Sequence, residues 1–398
     1  RSFVRLACVK HAASVRPEYD RFDISIVKGE NNCLIDTDGN VYNDFLSGIA
    51  VVNLGYSNEA FTKALHEQVD ALVHAPNYFW GPTTVELAEL LTEHSFADQV
   101  FFCCTGAEAN EGALKLARRY QFDQGYENKT KILSCRGAFH GRTMTTATIT
   151  DNDSLKEGFG TLPSGFEFIE FNNVQDAEDT ITDEVCAVIV EPVQGEGGLH
   201  VATEEFLQTL RKKCDETGAL LIFDEIQCGM SRTGSLFAYE QTGVVPDIIS
   251  MAKGLGNGVP IGAVLAGNEV GNSFQPGRHG TTFGGNPIST AAGLATLKEH
   301  LRMNLAETAK DTGAYFQEKL QSLVDRYDMV KEVRGRGLMI GIQLDREAMP
   351  LVRKMLKKGF IINDTDETLL RFVPPLTVEK EAIDRLVQAL GEVFDEEE

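Results

Sequence analysis

Phe223-Asp224-Glu225-Ile226-Gln227 and Ser250-Met251-Ala252-Lys253-Gly254-Leu255-Gly256 sit close together near the middle of this chain, and their reading decides its fold. In each, an apolar run stops at ionisable residues. The first run is Ala219 to Phe223. The second is Val244 to Met251, broken only by Pro246-Asp247. Apolar stretches of this length, bounded by turn residues, predict buried strands of an α/β sheet. Ligands of such sheets bind outside the carboxyl ends of the strands. Asp224 and Lys253 therefore bring an acid and an amine to one crevice.

Pyridoxal phosphate (PLP) chemistry needs that pair. A lysine amine holds the cofactor's aldehyde as a Schiff base, and a carboxylate pairs with the ring nitrogen so that the ring accepts electrons. Upstream, the predicted strand Gln99 to Cys103 runs into Thr105-Gly106-Ala107-Glu108, which opens an amphipathic helix, Ala109 to Tyr120. Backbone N–H groups at such a helix start favour an anion, so this turn is a candidate phosphate cradle.

Outward from these segments, the pattern is one of alternation. Lys131 to Ser134, Glu167 to Phe171 and Ala187 to Glu191 read as strands, and Phe206 to Thr217 as a helix. This predicts a mostly parallel sheet with helices on both faces. Before it, Ile24 to Lys28, Cys33 to Asp36 and Val41 to Phe45 read as short strands, the last two joined by the hairpin signal Asp38-Gly39-Asn40. Glu59 to Leu72 and Thr83 to Glu93 have helical spacing. After Ile288 come long helices, to about His300 and from Thr308 to Tyr327. Val333 to Leu344 and Leu369 to Val373 read as strands of a smaller α+β domain. The acidic end, Asp395 to Glu398, reads as a solvated tail. The expected domains are an N-terminal small-domain segment over 1–65, a large domain over 66–293 and a C-terminal small domain over 294–398.

Composition excludes several function classes. The formal net charge of −22 argues against nucleic acid or an anionic membrane surface as partner. No apolar stretch is long and charge-free enough to span a membrane. The eight cysteines form no C-x-x-C pair and no cluster with zinc spacing, so no metal site is expected; they read as buried thiols of a reducing compartment. Residues 1–17 carry Arg1, Arg5, Lys10 and Arg16 and no acid. That fits a short basic helix of a cytoplasmic enzyme and equally a transit-peptide remnant, which leaves mitochondrial matrix or plastid as alternatives. Gly254-Leu255-Gly256-Asn257-Gly258 and Gly335-Arg336-Gly337 do not continue as G-x-G-x-x-G, which argues against a dinucleotide-binding dehydrogenase.

FDEIQCGMSRTG, MAKGLGNGVPIGAVLAG, HGTTFGGNP and VEPVQGEGG, in this order, resemble the class III aminotransferases of PLP fold type I. Within that group the chain is most similar to acetylornithine aminotransferases, with ornithine aminotransferases second. The resemblance covers Tyr19 to Val393. It implies the fold above, with the small domain built from both chain ends. It implies PLP held covalently by Lys253, with Asp224 on the ring nitrogen, Gln227 on the ring hydroxyl, Phe139 stacked on the ring, and Gly106 and Ala107 on the phosphate. Relatives usually show Asn-Ser ahead of that Gly; this chain has Cys104-Thr105, which keeps a hydroxyl. Arg142, in AFHGRT, is implied to bind a substrate carboxylate. Glu196 and Arg371 are implied to pair with each other and, when released, to admit glutamate's α-carboxylate to Arg371. Thr282 is implied to reach across a homodimer to the partner's PLP phosphate. Glu225 reads as a loop charge. Gly55-Tyr56-Ser57-Asn58 departs from the relatives' Gly-His and His-Pro pattern near the substrate entrance.

The implied activity, in arginine biosynthesis, moves the terminal amine of N-acetylornithine to 2-oxoglutarate, giving glutamate and the semialdehyde. Ornithine, succinylornithine and 4-aminobutyrate are alternative donors. A PLP-dependent mutase or decarboxylase of the same fold is the rival reaction class, and a PLP-fold protein without activity is the rival outside enzymes.

Overall fold

The computed structural model describes Val15 and residues 18–397. The basic-segment reading of residues 1–17 therefore falls, Val15 aside, outside the described residues. Fifteen strands follow one another along the described residues. They are β1 Ile26–Glu30, β2 Cys33–Asp36, β3 Val41–Asp44, β4 Gln99–Cys103, β5 Lys131–Cys135, β6 Phe166–Ile169, β7 Val185–Val190, β8 Leu220–Asp224, β9 Ile248–Met251, β10 Gly262–Ala266, β11 Val330–Arg336, β12 Met339–Leu344, β13 Phe360–Ile361, β14 Asn363–Thr365 and β15 Leu369–Phe372.

The large sheet has the order β4-β10-β9-β8-β7-β5-β6. All pairs from β9 to β6 are parallel, and only β10 runs against its neighbours β4 and β9. Every residue of β7, β8, β9 and β10 is buried. That explains why β7, β8 and β9 read as apolar runs rather than alternating ones: helices cover both faces. Two apolar clusters fill those faces. Phe223, Phe206 and Leu210 belong to one, and Ile222, Ile189 and Leu114 to the other. Burying side chains of this size stabilises by about 1.5–3 kcal/mol each.

One of the two smaller sheets, β1-β2-β3-β13, joins strands from the N-terminal and C-terminal parts of the chain; the other is built from C-terminal strands alone. β13 pairs in parallel with β3, and a second sheet has the order β11-β12-β15-β14. The run Val333 to Leu344 is a hairpin rather than one strand, because Gly337 takes φ +59 and reverses the chain. The hairpin signal at Asp38-Gly39-Asn40 does join β2 to β3; Gly39 takes φ +87, and Asp36 accepts the N–H groups of Asp38 and Asn40. The acidic end is less free than a solvated tail. Lys354 pairs with Glu396 and Glu397, and Arg326 with Asp395. Five of the seven described cysteines are buried; Cys33 and Cys104 are partly exposed. No helix among the described residues is long and apolar enough to cross a membrane.

Candidate active site

The register Asp224↔Ser250 sets the carboxyl ends of β8 and β9 side by side. Asp224 is the last residue of β8, and Lys253 follows β9 by two residues. Both line one cavity of about 400 Å³, together with Thr105, Gly106, Ala107, Phe139, Glu191 and Gln227. Lys253 is the only lysine in that lining. Its amine is held below the ordinary lysine pKa, first by burial and against the pull of Glu196. Its backbone sits at φ +41, a region costly for a side-chain-bearing residue.

The glycines after Lys253 make that turn possible by admitting protein rather than ligand. A Cβ on Gly254 would stand 2.4 Å from Asn53 Nδ2, and one on Gly256 would stand 2.1 Å from the Val259 carbonyl oxygen. Asn53 is itself fixed: it donates to Met230 O and accepts from the fully buried Arg232.

Asp224 is 3% exposed. Its Oδ2 accepts from Asn110 Nδ2 at 2.8 Å and meets His140 Nδ1 at 2.7 Å, and its Oδ1 accepts from Ile226 N at 3.0 Å. Ser250 Oγ donates to Asn110 Oδ1 and so orients that amide. None of these supports was singled out in the sequence. Asn110 carried a signal, being polar on the same helical stripe as Ala113, Leu114 and Ala117, all buried. Glu191 was also missed. Its carboxylate accepts from Phe139 N and Gly195 N, and burial pushes its pKa up. It thereby ties the loop bearing Phe139 to the loop bearing Glu196.

Glu225 is not a loop charge. It is 1% exposed, accepts from the N–H groups of Ala238 and Tyr239, and burial pushes its pKa up to about 8. It faces away from the cavity and pins the following loop.

At the cradle, Thr105 caps the Gly106–Asp123 helix by accepting from Glu108 N at 3.1 Å. Glu108 in turn accepts from Cys104 N. The N–H groups of Gly106 and Ala107 have no acceptor among the described residues. Two free donors at the start of an 18-residue helix are a seat for an anion.

Glu196 and Arg371 are in contact. Arg371 Nη1 donates to Glu196 Oε1 at 2.7 Å, to Gly195 O at 3.0 Å and to Gln227 Oε1 at 3.2 Å. Burial pushes Glu196 upward, but Arg371's charge and hydrogen bond outweigh it and hold the carboxyl below its ordinary range. Gln227 Nε2 also donates to Glu196, so both ends of that amide face the pair.

Two expected residues lie elsewhere. Arg142 is exposed, next to the cavity-lining Gly141, and makes no side-chain hydrogen bond or ion pair among the described residues. Thr282 lines a separate groove of about 740 Å³ with Tyr78 and Trp80. Gly55 to Asn58 do not line the cavity; Tyr56 donates to Asp44 and Asn58 caps the Glu59–Ala71 helix.

These residues fit PLP. The cavity offers one half-buried amine, one buried carboxylate held by three donors, and free N–H groups for a phosphate. No group of residues among those described could hold a metal ion.

Comparison with known proteins agrees with this chemistry. The family model described as aminotransferase class-III matches residues 14–394. The acetylornithine aminotransferase of Methanocaldococcus jannaschii is 46% identical over 378 residues, covering 95% of each chain. That of Bacillus subtilis is 42% identical over 385 residues, covering 95% of this chain and 98% of the other. Among solved structures, an ornithine aminotransferase from Toxoplasma gondii superposes with TM-score 0.93 at 32% identity, covering 96% and 94%. The acetylornithine aminotransferase of Elizabethkingia anophelis gives 0.87 at 32% identity, covering 96% of each. A cavity that pairs Lys253 with Asp224, at this similarity over nearly the whole length, places the chain in the class III aminotransferase family.

Proposed function

We propose that this chain moves the terminal amine of N-acetylornithine to 2-oxoglutarate, giving glutamate and the semialdehyde. The observation that carries this reading is the Glu196–Arg371 pair, which lies beside the cavity of Lys253 and is joined to it by the cavity-lining Gln227. PLP, when bound, supplies the electron sink and carries the amine between the two substrates. Lys253 would hold it, Asp224 would keep a proton on its ring nitrogen, Phe139 would cover the ring, and Gly106 and Ala107 would bind its phosphate. Freed Lys253 Nζ takes the proton from the carbon bearing the donor amine, and its lowered pKa favours the neutral base. With Glu196 on Arg371 the pocket carries no free cation there, which suits a donor entering amine first. With glutamate or 2-oxoglutarate, Glu196 yields Arg371 to the α-carboxylate and Arg142 takes the far carboxylate.

The test is a screen of amine donors against 2-oxoglutarate, read as glutamate formed, with single-turnover rates for each half-reaction. N-acetylornithine is expected to lead; a larger signal from ornithine or 4-aminobutyrate overturns the donor assignment. Arg371→Ala is expected to damage the glutamate half-reaction by about 2–5 kcal/mol and the N-acetylornithine half-reaction far less. Equal damage to both refutes the switching role.

We further propose that the working unit is a homodimer, with the small domain of each chain built from both its ends. Tyr78 and Trp80, which line the Thr282 groove, are 93% and 91% exposed; Phe79 between them is 73% exposed, and Phe283 is 61% exposed and packs its ring against His74, another residue of the groove. A contiguous aromatic patch of this kind marks a protein interface. In the dimer, Thr282 reaches the partner's phosphate site. Mixing inactive Lys253→Ala chains with impaired Thr282→Ala chains is expected to restore activity after subunit exchange, because one site of the mixed dimer then holds neither lesion. Mixed dimers that form and stay inactive overturn the shared site. Free cysteines in a reducing compartment suit the cytoplasm.

A further inference from the structure

Arg371 is 0% exposed, yet its Nη2 has no hydrogen-bond partner among the described residues. A guanidinium offers a carboxylate two forked edges, Nη1 with Nη2 and Nε with Nη2. Both edges use the unpartnered Nη2. Glu196 occupies the first edge through Nη1. Asn363 occupies the second: its Oδ1 accepts from Arg371 Nε at 3.2 Å. A substrate carboxylate must therefore displace one or the other.

The two blockers are built differently. Glu196 follows β7 on a loop, and its side chain is 33% exposed. Asn363 lies in β14 directly opposite Arg371 in β15, so the two share one face of the sheet and move together. Asn363 Nδ2 donates to Asp364 O at 2.9 Å, which turns the amide oxygen toward Arg371. Thr365, on the same strand, donates to the main-chain oxygen of Glu196. Strand β14 thus holds Arg371 by Nε and Glu196 by its backbone, leaving the Glu196 side chain as the part that swings. A neutral amide holds Nε without cancelling the positive charge that a carboxylate needs.

We propose that Asn363 is a specificity-determining residue: it pins the Nε edge of Arg371 so that only the Nη1–Nη2 edge opens to a dicarboxylate when Glu196 leaves. This rests on the reading that Arg371 takes a substrate carboxylate. Asn363→Asp puts a second, permanent acid on Arg371. Asn363→Ala releases the pin and leaves the fork free to turn.

The test measures binding of glutarate, a dicarboxylate with neither amine nor ketone, to the holoenzyme by calorimetry. Arg371→Ala serves as the control for the underlying reading. Asn363→Ala is expected to weaken glutarate roughly tenfold, the ordinary weight of one hydrogen bond to a charged group, and Asn363→Asp is expected to weaken it further. KM for 2-oxoglutarate rises in parallel, while the single-turnover rate with N-acetylornithine stays near wild type. If Arg371→Ala binds glutarate as wild type does, the reading of Arg371 fails. If Arg371→Ala loses glutarate but both Asn363 variants keep it, the pin is wrong and the reading stands. Equal loss in both half-reactions also overturns the pin, since a merely structural residue behaves that way.

Discussion

Lys253→Ala abolishes transamination and leaves the chain folded. The expected loss exceeds about 10⁴-fold, because proton transfer by a positioned base is alone worth about 10²–10⁴, and in the proposed role the same amine would also hold the cofactor. No second lysine lines the cavity to take over. The fold survives because the replaced group is a half-buried amine whose lowered pKa records the cost of keeping it charged there. Alanine inherits the positive φ at no greater strain than lysine. Borohydride reduction followed by peptide mass spectrometry reads the link directly. Wild-type protein gains the cofactor's mass on the peptide bearing Lys253, and the variant gains none. An unchanged melting temperature separates this loss from unfolding. Full turnover, or cofactor mass trapped on another lysine, removes Lys253 from its role.

What the sequence made legible follows from locality. β7, β8 and β9 were readable because strands buried on both faces are continuous apolar runs. Asp224 and Lys253 were readable because each ends such a run. β10 was not singled out: Gly262-Ala263-Val264-Leu265-Ala266 is short and made largely of small residues. Its place between β4 and β9 depends on β4, which lies far earlier in the chain. Glu225 failed for the same reason. The N–H groups that bury it belong to Ala238 and Tyr239, more than a dozen residues on. The resemblance named Glu196 and Arg371 as a pair. It did not show Asn363 on the opposite edge of the guanidinium, which only the β14–β15 register brings there. The residues that the resemblance assigns to ligand lie in the short motifs that carry it. Residues that hold them, such as Asn110 and Asn363, lie outside those motifs and are placed by tertiary contact.

Asp224→Ala is expected to lose roughly 10²–10³ in rate, the usual cost of removing one preorganised electrostatic contact at a reacting centre. The charge is kept in place by construction. Asn110 and His140 both approach Oδ2, and the Ile226 N–H holds Oδ1. Because Nδ1 of His140 donates to a carboxylate, its proton sits on that nitrogen, and the buried Nε2 is the ring atom left without a partner. Alanine removes the acceptor from two buried donors, each costing about 1–3 kcal/mol when unpaired, and from the part-buried Ile226 N–H, so some stability is lost as well. Asp224→Asn separates the two effects. Its amide oxygen still accepts from Asn110 or His140, so the melting temperature recovers most of the way. Its lack of charge leaves nothing to keep a proton on the cofactor's ring nitrogen, so the rate stays low. Single-turnover rates and melting curves of both variants decide the matter. An Asp224→Asn protein that turns over near wild type would show that hydrogen bonding at this position suffices and that the carboxylate's charge is not what the chemistry uses.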